Sequence, residues 1–153
     1  MTTSDRLSLF RDELALTGAA RYLDAHPRVQ EAEPRIYVKF QPVGASSPHL
    51  ALLDTGAHYC ILERQLAESI GGDLTEPIGQ RSIRSAHGVI RGDLHIHTLR
   101  LIAEIGEPLD VDAVVFVSPD WPKSSFIGYL GVLDRVRFAI DSRANRFFFG
   151  AID

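Results

Sequence analysis

Leu50-Ala51-Leu52-Leu53-Asp54-Thr55-Gly56-Ala57 sets four apolar residues directly in front of an aspartate, a small hydroxyl residue, a glycine and an alanine. An unbroken apolar run of this length reads as a buried strand. Asp and Gly are turn residues, and Gly56 also lets another backbone approach closely. The chemical result is a carboxylate fixed at the end of a rigid, water-poor element. A strand that merely ends in an Asp-Thr-Gly turn accounts for the tripeptide equally well. The apolar-then-small frame and the residues further along give this copy more weight.

Upstream, Ile36, Val38 and Phe40 alternate with Tyr37, Lys39 and Gln41, the period of a half-buried strand. Pro42-Val43-Gly44-Ala45-Ser46-Ser47-Pro48 is a turn cluster, so residues 35–54 predict a hairpin that delivers Asp54 at its exit. Downstream, Glu63–Ile70 is helical in composition and meets Gly71-Gly72. From Gly79 to Ile105 the alternation returns on both sides of Ala86-His87-Gly88, which predicts a second hairpin. Residues 109–117 are rich in β-branched side chains, and Ser118-Pro119-Asp120-Trp121-Pro122 breaks that strand. Ser125-Phe126-Ile127-Gly128 follows, then a short helix over 129–134 and two closing strands around Val136–Ile140 and Arg146–Phe149.

The Asp-Thr-Gly frame resembles the active-site motif of the retropepsin-like aspartic proteases. Phe126-Ile127-Gly128 resembles the family's second landmark, where a strand passes beneath the catalytic loop. The likeness spans about residues 35–149. It implies a mainly β fold: a closed barrel of the acid-protease kind with short helices. It further implies that Asp54, Thr55 and Gly56 are catalytic. Ala57, Ala86, His87, Gly88, Ile127 and Gly128 would meet substrate, with the 86–88 hairpin as a flap over it. Aspartic proteases need two carboxylates sharing one proton, and this chain has a single Asp-Thr-Gly and no Asp-Ser-Gly. The resemblance therefore implies a homodimer in which two Asp54 carboxylates meet on the two-fold axis. Thr55 would then bond across that axis, and a peptide or protein substrate would lie extended in the cleft. No cofactor or metal is implied.

Composition narrows the alternatives. With 153 residues, 45% hydrophobic and 24% charged, the chain has the profile of one ordinary globular domain. A formal charge of -4 leaves no basic footprint for nucleic acid. No apolar run reaches the length of a membrane span. Residues 1–20 hold no signal-peptide core, and Cys60 is the lone cysteine, so a cytoplasmic protein is expected. Cys60 reads as a buried structural thiol.

Residues 4–16 space Leu7, Phe10 and Leu14 as a helix does, with a resumption through Tyr22 and Leu23. Residues 1–34 are thus expected to form a helical extension and connector, ahead of a protease domain over 35–153. Packing addition, lid and propeptide all suit such an extension. Phe147-Phe148-Phe149 is too apolar for a free edge strand. Either the core or a partner subunit must cover it, and a dimer sheet built from the chain ends is the more attractive reading. Trp121 suits a specificity pocket and a core or interface position equally.

Other chemistries fit less well. Asp110-Val111-Asp112 matches the Asp-x-Asp of haloacid dehalogenase-like phosphatases, but Gly106-Glu107-Pro108-Leu109 is not the apolar strand that chemistry requires. His95-x-His97 places two imidazoles on one strand face with no further ligand nearby, and a solvated face is expected. Neither a Gly-x-Ser-x-Gly elbow nor a phosphate-binding Gly-x-x-x-x-Gly-Lys loop is present. The rival function is a peptide-binding or dimerisation module on the same fold, with little or no hydrolysis.

Overall fold

The computed structural model describes residues 8–9, 14–28, 35–86 and 88–152. The strands run in order as β1 (Ser8–Leu9), β2 (Leu14–Ala15), β3 (Gly18–Arg21), β4 (Tyr37–Pro42), β5 (His49–Asp54), β6 (Cys60–Ile61), β7 (Gly79–Ser85) and β8 (Gly88–Leu101). They continue as β9 (Ile105–Gly106), β10 (Leu109–Val117), β11 (Ser125–Gly128), β12 (Val136–Asp141) and β13 (Arg146–Ala151). One helix, α1 (Arg64–Ser69), lies between β6 and β7.

The order β10-β6-β11-β5-β4-β8 closes on itself through a β8–β10 pairing. The expected mainly β closed barrel is therefore present, with six strands in the ring. Closure gives each strand of the ring a neighbour on both sides. It rests mainly on β8 and β10, which run antiparallel from Leu101↔Leu109 to Asp93↔Val117. Val38, Phe40, Ala51, Leu99, Leu101, Val111, Val115 and Ile127 fill the interior. They lie on alternate positions of their strands, the inward half of each pleat. A smaller apolar cluster of Ile61, Ile90, Leu94, Phe116 and Trp121 sits beneath β7.

The hairpins around Asp54 are where the sequence pattern puts them. β4 and β5 pair from Tyr37↔Leu52 to Phe40↔His49. β7 pairs with the first half of β8, ending at Ser85↔Gly88, with Ala86 in the turn that follows β7. Gly88 takes φ +101° there, a conformation that suits glycine. His87 lies outside the described residues. In place of the expected helix over 129–134, the structure has a turn and one tight 3-10 turn at Leu133–Arg135.

The described part of the N-terminal extension is strand, not helix. β1 pairs with β2, and β3 pairs with both β13 and β9. Residues 4–7 and 10–13 of the expected 4–16 helix lie outside the described set. Leu16, Ala19, Ala20 and Tyr22 are buried, and backbone bonds tie Leu23 to Tyr37 in both directions. Gly18 explains why this strand fits so closely. A Cβ there would come within 2.2 Å of the Glu107 carbonyl oxygen and 2.5 Å of the Phe149 ring.

The same arrangement answers how the phenylalanines are covered. β13 is an interior strand of the four-stranded sheet β12-β13-β3-β9. Phe147 and Phe149 are buried within their own chain. The chain's own β3 therefore holds the β13 edge for which a partner's strand was expected. Removing residues 1–23 should bare that edge and expose the apolar surface under Leu16 and Tyr22. The expected loss is about 4 kcal/mol, with higher-order association through β13. Chemical denaturation and light scattering check this; unchanged stability and size would mean that β3 is dispensable.

Two further expectations change. His95 and His97 are buried, not solvated. His95 Nδ1 lies 2.7 Å from the Thr75 carbonyl oxygen and His97 Nε2 lies 2.8 Å from that of Val43. Each ring donates an N–H to a carbonyl, pinning the 43 turn and the 75 loop to β8. Asp110 and Asp112 lie on the outer face of the barrel. Arg100 donates to both Asp110 oxygens at 2.8 and 3.0 Å, and that hydrogen-bonded guanidinium holds the Asp110 carboxyl below its usual range. Thr98 donates to Asp112 at 2.7 Å.

Candidate active site

Asp54 is the last residue of β5, where the apolar run ends and the chain turns. Its backbone carbonyl accepts from the Ala57 N–H at 3.1 Å, closing a turn over Thr55 and Gly56. The Gly56 N–H donates to Asp54 Oδ1 at 2.9 Å. Aspartate favours this contact with its own backbone two residues on. Here it fixes the carboxylate's direction. The side chain is half-buried, whereas Thr55 and Gly56 are exposed.

The loop rests on β11. β5 and β11 run parallel with Leu53↔Ile127 and Asp54↔Gly128 in register. The Tyr129 N–H donates to the Ala57 carbonyl at 2.8 Å. A Cβ on Gly128 would come within 2.3 Å of the Tyr59 carbonyl oxygen and 2.8 Å of that of Ala57. Two backbones cross there with no room for a side chain. The motif Phe126-Ile127-Gly128 thus braces the Asp54 loop from beneath.

A cleft of about 620 Å³ opens beside this loop. Gly56, Ala57, His58 and Tyr59 form one side and residues 81–86 of the β7 hairpin another. Trp121–Lys123 and Phe126 complete it with Ile61. Trp121 belongs to the smaller apolar cluster and also borders the cleft. Its indole donates to the Ser124 carbonyl at 3.0 Å, and Phe126 meets it edge-on with ring centroids 5.3 Å apart. Among the described residues that line the cleft, none is Asp or Glu.

Several expected site residues meet at this cleft. Gly56, Ala57 and Ala86 line it, with Asp54 bonded to Gly56 at its end. Gly88 is exposed at the hairpin tip. Ile127 has no exposed surface and packs in the barrel interior. Its neighbour Phe126 faces the cleft instead, because successive strand residues point to opposite faces. Gly128 is buried behind the loop. The sequence reading missed Tyr59, Ile61, Arg81, Ile83, Lys123 and Phe126. The period-two pattern along 81–85 was the available signal for Arg81 and Ile83, which share one strand face. Cys60, beside the loop, is fully buried, and burial pushes its thiol pKa up, so it is no nucleophile. No group of three or more His, Cys, Asp or Glu that would hold a metal ion occurs among the described residues.

Comparison with known proteins agrees with this architecture. No family model matches the sequence, and no curated protein matches it either. Among solved structures, the fold is similar to the crystal structure of a retropepsin-like aspartic protease from Rickettsia conorii, with a TM-score of 0.53. The two are 18% identical, over 87% of this chain and 98% of that one. At that identity the likeness shows a shared retropepsin-like fold.

Proposed function

We propose that this chain is an aspartic endopeptidase whose active unit is a homodimer, with one Asp54 from each subunit. The observation that carries the reading is the seat of Asp54. Its carboxylate is directed by the Gly56 N–H, and its loop is braced from beneath at Gly128 and borders a cleft of about 620 Å³ through Gly56 and Ala57. One Asp54 carboxylate, ionised, takes a proton from water as that water attacks the peptide carbonyl. The other, protonated, gives its proton to the carbonyl oxygen. Proton transfer to the nitrogen then lets the C–N bond break. The 79–94 hairpin would act as a flap that excludes water while this happens.

The second carboxylate is assigned to another chain because this chain carries a single Asp-Thr-Gly and no Asp or Glu occurs among the described residues that line the cleft. Surface apolar residues next to the loop favour such pairing. Tyr129 is 47% and Leu130 42% exposed, and Tyr129 is bonded directly to the loop at Ala57. Thr55, exposed at the turn, is available to bond across a two-fold axis.

One observation favours the alternative, a peptide-binding module with little or no hydrolysis. The interior position of β13 removes the partner-completed terminal sheet expected for a dimer of this kind. Peptide cleavage from about pH 3 to pH 8, wild type beside Asp54→Asn, separates the two. A protease loses cleavage in the variant, whereas a binding module cleaves in neither form and keeps its peptide affinity.

A further inference from the structure

The chain has 20 acidic and 16 basic side chains and a net charge of -4, yet its cleft has the opposite sign. Arg81, Arg84 and Lys123 line it, with no carboxylate among the described lining residues. Among the described residues none of the three is in an ion pair. Arg81 Nη1 donates to the neighbouring Gln80 carbonyl at 2.8 Å, which leaves its charge unneutralised. Arg81 shares its strand face with Ile83, and Ile83 packs on the apolar cluster beneath the hairpin. Lys123 stands on the other wall beside Trp121. The apolar floor of Ile61, Ile83, Trp121 and Phe126 is thus bordered by cations from two separate elements.

We propose that this cleft selects peptides in which an apolar side chain lies within two residues of an aspartate or glutamate. The proposal rests on the peptide-cleft reading above and names its substrate class. In an extended peptide, residues two apart point the same way, so one side chain can sit on the floor while its neighbour's carboxylate reaches Arg81 or Lys123. The other titratable groups in the lining are His58 and Tyr59, with Asp54 at the Gly56 end. Asp93 and Asp120 border adjoining depressions, beside Arg81 and Lys123 respectively, and do not enter this lining. His87 lies outside the described residues.

The test uses full-length Asp54→Asn protein, which holds a peptide without cutting it. Two labelled unstructured peptides differ only in Glu or Gln two residues after a phenylalanine, and fluorescence anisotropy reads their affinities. At about pH 6 and low salt the Glu peptide should bind about fivefold more tightly. The ratio should fall towards one in high salt, and also as pH drops through about 4, where the peptide carboxyl takes up a proton. It should fall in the same way when Arg81→Gln and Lys123→Gln are combined. Both residues are exposed, so that variant should fold; if it does not, the salt and pH dependence of the ratio still decides. Equal affinities, or no binding of either peptide, would overturn the proposal. Wild-type protein given the same peptides tests catalysis separately. A Glu preference in binding without cleavage keeps this proposal and removes the protease reading, and cleavage of both peptides with equal affinity does the reverse.

Discussion

On the proposed mechanism, Asp54→Asn should abolish peptide cleavage, lowering the rate by at least about a thousandfold, and should leave the fold intact. The amide is nearly the size of the carboxylate and still offers an oxygen to the Gly56 N–H, so the 2.9 Å bond can be kept, and the turn closed by the Ala57 N–H has no reason to open. What disappears is the group that takes up and returns the proton. The wild-type protein should lose cleavage on both sides of an optimum pH. An acid–base pair of this kind works only while one carboxyl is protonated and the other ionised. At low pH both are protonated and no base remains; at high pH both are ionised and no acid remains. Cleavage that survives in a folded Asp54→Asn protein would mean that Asp54 is not the acid–base group.

Gly128→Ala should cost stability and activity together. The added Cβ would sit 2.3 Å from one backbone oxygen and 2.8 Å from another, and neither can swing aside as a flexible side chain would. Overpacking of this kind costs about 3 kcal/mol, which for a chain of this size lowers Tm by about 6–12 °C. Relief requires the 57–59 segment to move away from β11. That shift carries the Asp54 carboxylate with it, because Ala57 closes the Asp54 turn. A displacement near 1 Å costs about a hundredfold in rate. Thermal unfolding read beside cleavage checks both effects. An unshifted Tm with full activity would show that the loop and β11 do not meet this closely.

The parts of this molecule that were legible from sequence are those whose signal is local. Leu50–Leu53 reads as a buried strand because the run is apolar throughout, and the turn after it contains the residues that turns need. Gly128 could be expected to permit a close approach, since a glycine at that place in a strand has few other purposes. The N-terminal segment misled for the opposite reason. Gly18-Ala19-Ala20-Arg21 carries two alanines, strong helix formers, and buries three successive residues. It has no period-two signature because β13 and β9 flank it on both edges while the core and neighbouring loops cover its faces. Its strand state is imposed by Phe147–Phe149, more than a hundred residues away in sequence, and tertiary contact overrides propensity. The exchange of Ile127 for Phe126 in the cleft is a matter of parity. A strand's spacing says which residues share a face but not which face is the interior. His95 and His97 were rightly placed together and wrongly placed in solvent, because the carbonyls that satisfy them belong to Val43 and Thr75, remote in the chain.

The central claim, that the catalytic unit contains one Asp54 from each of two chains, is tested most directly by mixing. Wild type and Asp54→Asn are refolded together at fixed total concentration and varying ratio, and cleavage is measured at the optimum pH. If each active site needs two intact chains, random pairing makes activity fall as the square of the wild-type fraction, to about a quarter in an equal mixture. A linear fall, to about half, would mean that each chain works alone and that the paired-aspartate account is wrong.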